Sequence, residues 1–214
     1  MTYLNLVNSV LRRLREEEVA TVNDSDYSKL IGDFINDGKR IVEDSWDWTA
    51  LRDTHTFNTV AGTNTYPLTG FSVRSKILSV HNETTNRVIY QEALPRIREK
   101  YLANEGAQGG IEYWAIDGVD ANEDMQLRFH MVPNAVNSMS VYGIKRTADL
   151  SLDTDTTSLP SLAIVLFAFA YALRERGETG GQSASEQIVW AREELSNQIA
   201  LDAAQHPDET IWNS

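Results

Sequence analysis

Four histidines, His55, His81, His130 and His206, are the side chains here best suited to bind a metal or move a proton near neutral pH. No two of them stand at the spacing that puts paired ligands on one helix face, and three fall on or near predicted strands. His130 is expected on the polar, solvent-facing side of its strand. Adjacent carboxylates, Glu43-Asp44 and Glu123-Asp124, are the other candidates. Glycoside hydrolysis needs two carboxyl groups held across a cleft at a set separation. In a chain with 31 acidic residues such neighbours arise by composition, and solvated surface is the simpler reading. The aromatics Tyr66, Tyr90, Tyr113, Trp114 and Phe129 lie on predicted strands, where they could form a sugar-binding or base-stacking platform. Strands also favour aromatics for packing, and a core role is expected for them. There is no cysteine, which removes disulfides, thiolate zinc sites and cysteine nucleophiles. No Gly-x-Ser-x-Gly elbow, Gly-x-x-x-x-Gly-Lys loop or Gly-x-Gly-x-x-Gly fingerprint occurs. No catalytic, cofactor-binding or metal-ligating residue is therefore assigned.

The formal net charge is −12. A chain this acidic is not expected to hold a phosphate backbone through counterion release, although it can face DNA without sticking to it. The start, Met1-Thr2-Tyr3-Leu4, lacks a basic region followed by an apolar stretch, and no signal peptide is expected. The longest apolar run, 159–173, would be roughly 22 Å long as a helix, short of the ~30 Å bilayer core. It reads as a buried helix.

The elements that would position any site follow from periodicity. Leu6, Val7, Val10, Leu11 and Leu14 predict a helix over 3–17 with Thr2 as its N-cap. Tyr27, Leu30, Ile31, Phe34, Ile35, Ile41, Val42 and Trp46 predict a second, opened by the Asn23-Asp24-Ser25 turn. Gly38 inside it marks either close helix packing or a tolerated weak point. At Trp46 and Trp48 the pattern changes to strands, over 54–60, 64–68, 73–81, 87–91, 111–116, 125–131 and 138–145. A short helix over 95–103 interrupts them, followed by a loop with Gly106, Gly109 and Gly110. A polar linker, 149–158, leads to an apolar helix over 160–176, a glycine-containing break over 178–182 and a last helix over 185–205. In that last helix Ile188, Ala191, Leu195 and Ile199 are expected to face the core, with Trp190 at an edge. Pro207 then stops the helix, and a polar tail follows that carries Ile211 and Trp212, an aromatic-bearing tip suited to docking on a partner. Helices at both ends imply an α+β fold. The terminal helices, 1–50 and 158–205, would pack as an antiparallel helical bundle, with an antiparallel β domain, 51–150, inserted between them and a tail over 206–214.

This order of elements resembles the head-to-tail adaptor (connector) proteins of tailed bacteriophages, especially the short-tailed kind. The resemblance rests on the opening Leu6-Val7-Asn8-x-x-Leu11 helix and the Ser45-Trp46-Asp47-Trp48 step into a strand. It also rests on the Thr65-Tyr66-Pro67-Leu68 strand after a glycine turn, and on the Leu159-Pro160 start of an apolar helix with Ala170-x-Ala172-Leu173. It implies a structural virion protein without cofactor or catalytic step, built in the host cytoplasm and located at the head–tail junction. Such adaptors form a ring, typically of twelve copies, beneath the portal protein. The genome passes through its lumen, a tail nozzle or other tail protein attaches below, and the C-terminal tail engages portal or neighbour. The rival readings are a tail-associated cell-wall hydrolase and a carbohydrate-binding module.

Overall fold

The computed structural model describes residues 1–103, 107–177 and 184–205. Among them are five helices, α1 (Tyr3–Arg13), α2 (Asp26–Ser45), α3 (Leu94–Ala103), α4 (Ser161–Glu175) and α5 (Ala184–Ala203). The chain divides into two compact units, Met1–Ala50 with Ala148–Ser214, and Leu51–Thr147. The expected glycine break over 178–182 lies outside the described residues, as do Gly106 and the tail over 206–214.

The first unit holds α1, α2, α4 and α5. The Thr2 hydroxyl caps α1 by accepting the Asn5 N–H at 3.3 Å, and Leu6, Val7, Val10 and Leu11 are all buried. The helix ends at Arg13 rather than at 17, with Arg15 in the left-handed region at φ 59°. The run Glu16-Glu17-Glu18 accounts for this, because carboxylates are unfavourable against the partial negative charge of a helix C-terminus. A reciprocal capping box between Ser25 and Ser28 opens α2. Ile31, Ile35 and Val42 on α2 are buried, but Ile41 is exposed and does not share their face. The α4 helix is apolar nearly all round because it packs against α1, α2 and α5.

The second unit is a seven-stranded sheet. Its strands are β1 (Arg52–Asn58), β2 (Thr65–Ser72), β3 (Lys76–Asn82), β4 (Arg87–Gln91), β6 (Tyr113–Val119), β7 (Asp124–His130) and β9 (Ser138–Ile144). The strand order is β1-β9-β3-β4-β6-β7-β2, and a two-stranded pair, β5 (Gln108–Gly109) with β8 (Val132–Pro133), lies beside it. The expectation of a purely antiparallel domain needs correction, since β4 pairs with β6 in parallel. The cause is α3, which carries the chain from β4 to β6 as a crossover. Side chains of the two edge strands meet, with Phe57 on β1 and Tyr66 on β2 at 5.1 Å between ring centroids, so the sheet is nearly closed around its core. That core includes Leu68, Phe71, Val80, Trp114, Leu127, Phe129 and Val141. Pro67 is tolerated inside β2 because β2 is an edge strand with an irregular register. The β3 strand begins at Lys76, three residues later than expected, and leaves Val73 exposed.

Candidate functional site

Among the described residues, the histidines that could do chemistry are not brought together. Among the described residues no group of three or more metal-ligating side chains converges. His55 packs against Phe57 and Phe71, and burial, helped by the nearby Lys145 charge, lowers its pKa. His81 packs edge-on to Tyr142 at 5.0 Å. His130, expected in solvent, is only 7% exposed and stacks on Tyr113 at 6.4 Å. The reason is α3, which covers the outer face of β6 and β7 and brings Lys100 over the Tyr113 ring at 3.7 Å. Burial, and then the Lys100 charge, lower the His130 pKa. His206 lies outside the described residues.

The adjacent carboxylates have structural work instead. Glu43 is fully buried, 3.5 Å from Lys39 one turn earlier on α2. Asp124 accepts the Gly70 N–H at 2.8 Å, and Glu123 sits at φ 64° in the β6–β7 turn. Of the strand aromatics, Tyr66, Trp114 and Phe129 are core, whereas Tyr90 is 68% exposed, contrary to expectation.

The most elaborate polar construction lies where the chain returns to the helices. The 149–158 segment, expected as a linker, is a strap stitched to α1 and α2. Asn36 on α2 holds both backbone groups of Leu150, donating to its C=O at 3.0 Å and accepting its N–H at 2.9 Å. The Lys39 ammonium donates to the Ala148 C=O at 3.0 Å, and Arg40 pairs with Asp149. The Asp153 carboxylate accepts the Val22 N–H at 3.0 Å, and the Asp155 C=O accepts the Tyr3 N–H at 2.8 Å. Within the strap, the Asp155 carboxylate accepts the Leu152 and Ser151 N–H groups, which lower its pKa. Asn36, Lys39, Arg40 and Glu43 share one face of α2 by their three- and four-residue spacing. That spacing serves solvated surface pairs equally well, so the sequence carries no signal of the strap.

Two surface features of the helical unit remain. Phe34, Asp37, Tyr171, Arg174 and Glu175 line a groove between α2 and α4, of about 440 Å³. On α5, only Gln187, Ala191 and Leu195 are buried, and the adjacent Val189 and Trp190 are 55% and 51% exposed. Near the other end of α5, the Asp202 carboxylate accepts the Trp46 indole N–H at 3.0 Å and the Thr49 N–H at 3.2 Å. Trp48 is buried, its indole N–H on the Val42 C=O at 2.7 Å. The expected docking residues Ile211 and Trp212 lie outside the described residues.

Among the described residues, the polar groups named above hold the strap, the helix ends and the turns in place. None of the curated proteins compared with the chain is significantly similar to it. A protein-family model described as SU10 adaptor protein matches residues 1–209. The match spans almost the whole length and agrees with the bacteriophage head-to-tail adaptor resemblance carried by the order of the elements: the chain belongs to the SU10 adaptor protein family.

Proposed function

We propose that this chain is a structural virion protein that forms a ring beneath the portal, extends the DNA channel and attaches the tail. The family match over residues 1–209 is the observation that carries this reading. In it the terminal helices form an antiparallel bundle, and 51–150 is an inserted domain. Twelve copies surround the lumen, a tail nozzle or other tail protein binds below, and assembly takes place in the bacterial cytoplasm.

The distribution of charge supports the DNA-channel part. Residues 1–50 and 148–214 hold 9 basic and 21 acidic residues, whereas 51–147 hold 10 of each. The whole excess of −12 is therefore carried by the terminal segments. A strongly acidic surface repels a polyanion, which lets DNA slide past without being held. The tail over 206–214 is proposed to dock on the portal through Ile211 and Trp212, ordering as it binds and gaining avidity from many copies.

Sedimentation of the purified chain with the portal ring encoded beside it tests this. The full chain is expected to co-sediment in stoichiometric amount, and a chain lacking 206–214 to be released at least tenfold more readily while its melting curve stays unchanged. Equal retention of the two would remove the tail from the proposal. Failure of the folded full chain to bind an intact portal would overturn the adaptor reading.

A further inference from the structure

We propose that copies of this chain join by seating Trp190 of one copy in the Phe34–Tyr171 groove of the next, a contact that rests on the ring-forming reading above. Trp190 and Val189 are both more than half exposed in the middle of a helix. Exposed aromatics of this kind are enriched at the desolvated centres of interfaces. A fully covered aromatic side chain buries on the order of 150–250 Å², and about half of Trp190 remains to be covered. The groove offers a matching floor. The Phe34 and Tyr171 rings meet edge to face, 6.1 Å apart, and a third ring can pack beside them.

Charge and hydrogen bonding agree. The groove is rimmed by Asp37, Arg174 and Glu175. The indole N–H is a donor only, and Asp37 supplies an acceptor. Glu193 lies three residues after Trp190, one turn along the same side of α5, and carries the charge opposite to that of Arg174 on the groove rim.

Helix geometry makes the contact one between copies. Successive helical residues are about 100° apart, so Trp190 and Arg192 flank the buried Ala191 on opposite sides. The Arg192 charge reaches the Tyr171 hydroxyl, which puts the Arg192 side of α5 next to the groove. Trp190 lies on the opposite flank of α5 from Arg192. A knob on one side and a hole on the other make a head-to-tail contact, the kind that generates a ring when its rotation closes.

The chain has no cysteine, so an introduced pair supplies the only thiols. The Arg174→Cys/Glu193→Cys variant would be oxidised both free at high concentration and after mixing with the portal ring, and each mixture would also be imaged. A ladder of covalent multiples is expected from the double variant, and no covalent dimer from either single variant. Adding Trp190→Ala should reduce the ladder at least tenfold while the chain still melts cooperatively, because that side chain is half exposed and outside the buried core. A ring on the portal without a ladder would overturn the contact and leave the adaptor reading standing. A ladder without a ring would keep the contact and overturn the portal assignment. Neither ring nor ladder would overturn both, and a covalent dimer from Glu193→Cys alone would overturn the head-to-tail geometry.

Discussion

At Gly38 two opposing effects can be weighed. Alanine in a helix interior is favoured over glycine by about 1 kcal/mol. A Cβ at Gly38, however, would meet the Ile164 C=O of α4 at 3.0 Å and the Phe167 Cβ at 3.3 Å. Overpacking of this kind costs roughly 1–3 kcal/mol, and the nearest obstacle is backbone, which cannot rotate away. Gly38→Ala is therefore expected to lower the urea midpoint; a rise, as at an open helix site, would show that α2 and α4 are not in close contact there. The sequence raised close packing at Gly38 as one of two readings, because glycine inside a strong helix pattern requires some reason. It could not place Lys39 and Glu43, whose four-residue spacing is the same whether a pair is solvated or buried. Nor could it place His130, because strand alternation identifies the two faces but not what covers them, and α3 covers this one.

Element by element, helix and strand positions were largely legible because their periods are strong, and the misreadings have local causes. The first helix stops early at its own glutamates. The β4–β6 pair is parallel because a short helix lies between the two strands, a consequence of connection rather than of residue pattern. The 149–158 strap was invisible because its polar, turn-rich composition is that of any linker; its order comes from partners on α1 and α2, distant in sequence. Asn36 is the clearest of these. Asn36→Ala strands both the N–H and the C=O of Leu150, a residue that is itself buried. Leaving such groups unsatisfied costs about 1–3 kcal/mol. Urea denaturation should show a loss of that size, and an unchanged midpoint would mean that the strap contributes little.

Across the molecule, the sheet unit should be separable from the helices. Its first and last strands pair directly, Arg52 with Ile144, so its two ends leave from adjacent positions. It has its own apolar core and equal numbers of acidic and basic residues. Residues 51–147 alone are expected to unfold in one cooperative transition, reported by Trp114, the single tryptophan of that span and a buried one. A gradual, non-cooperative change in its fluorescence would show that the sheet needs the helices. The sequence pointed to helices at both ends and strands between them, but the balance of charge between the two units emerged only once their boundaries were known. The candidate docking surface was only half legible: Trp190 stood out as an edge residue, whereas the Phe34–Tyr171 groove requires α2 and α4 to be placed side by side. The central claim, that this chain is the adaptor joining head to tail, is tested most directly by electron microscopy of the chain mixed with its portal ring. A ring of copies stacked coaxially on the portal, with an open central channel, is the expected result. Well-folded chain beside bare portal rings, at concentrations far above those of assembly, would contradict it.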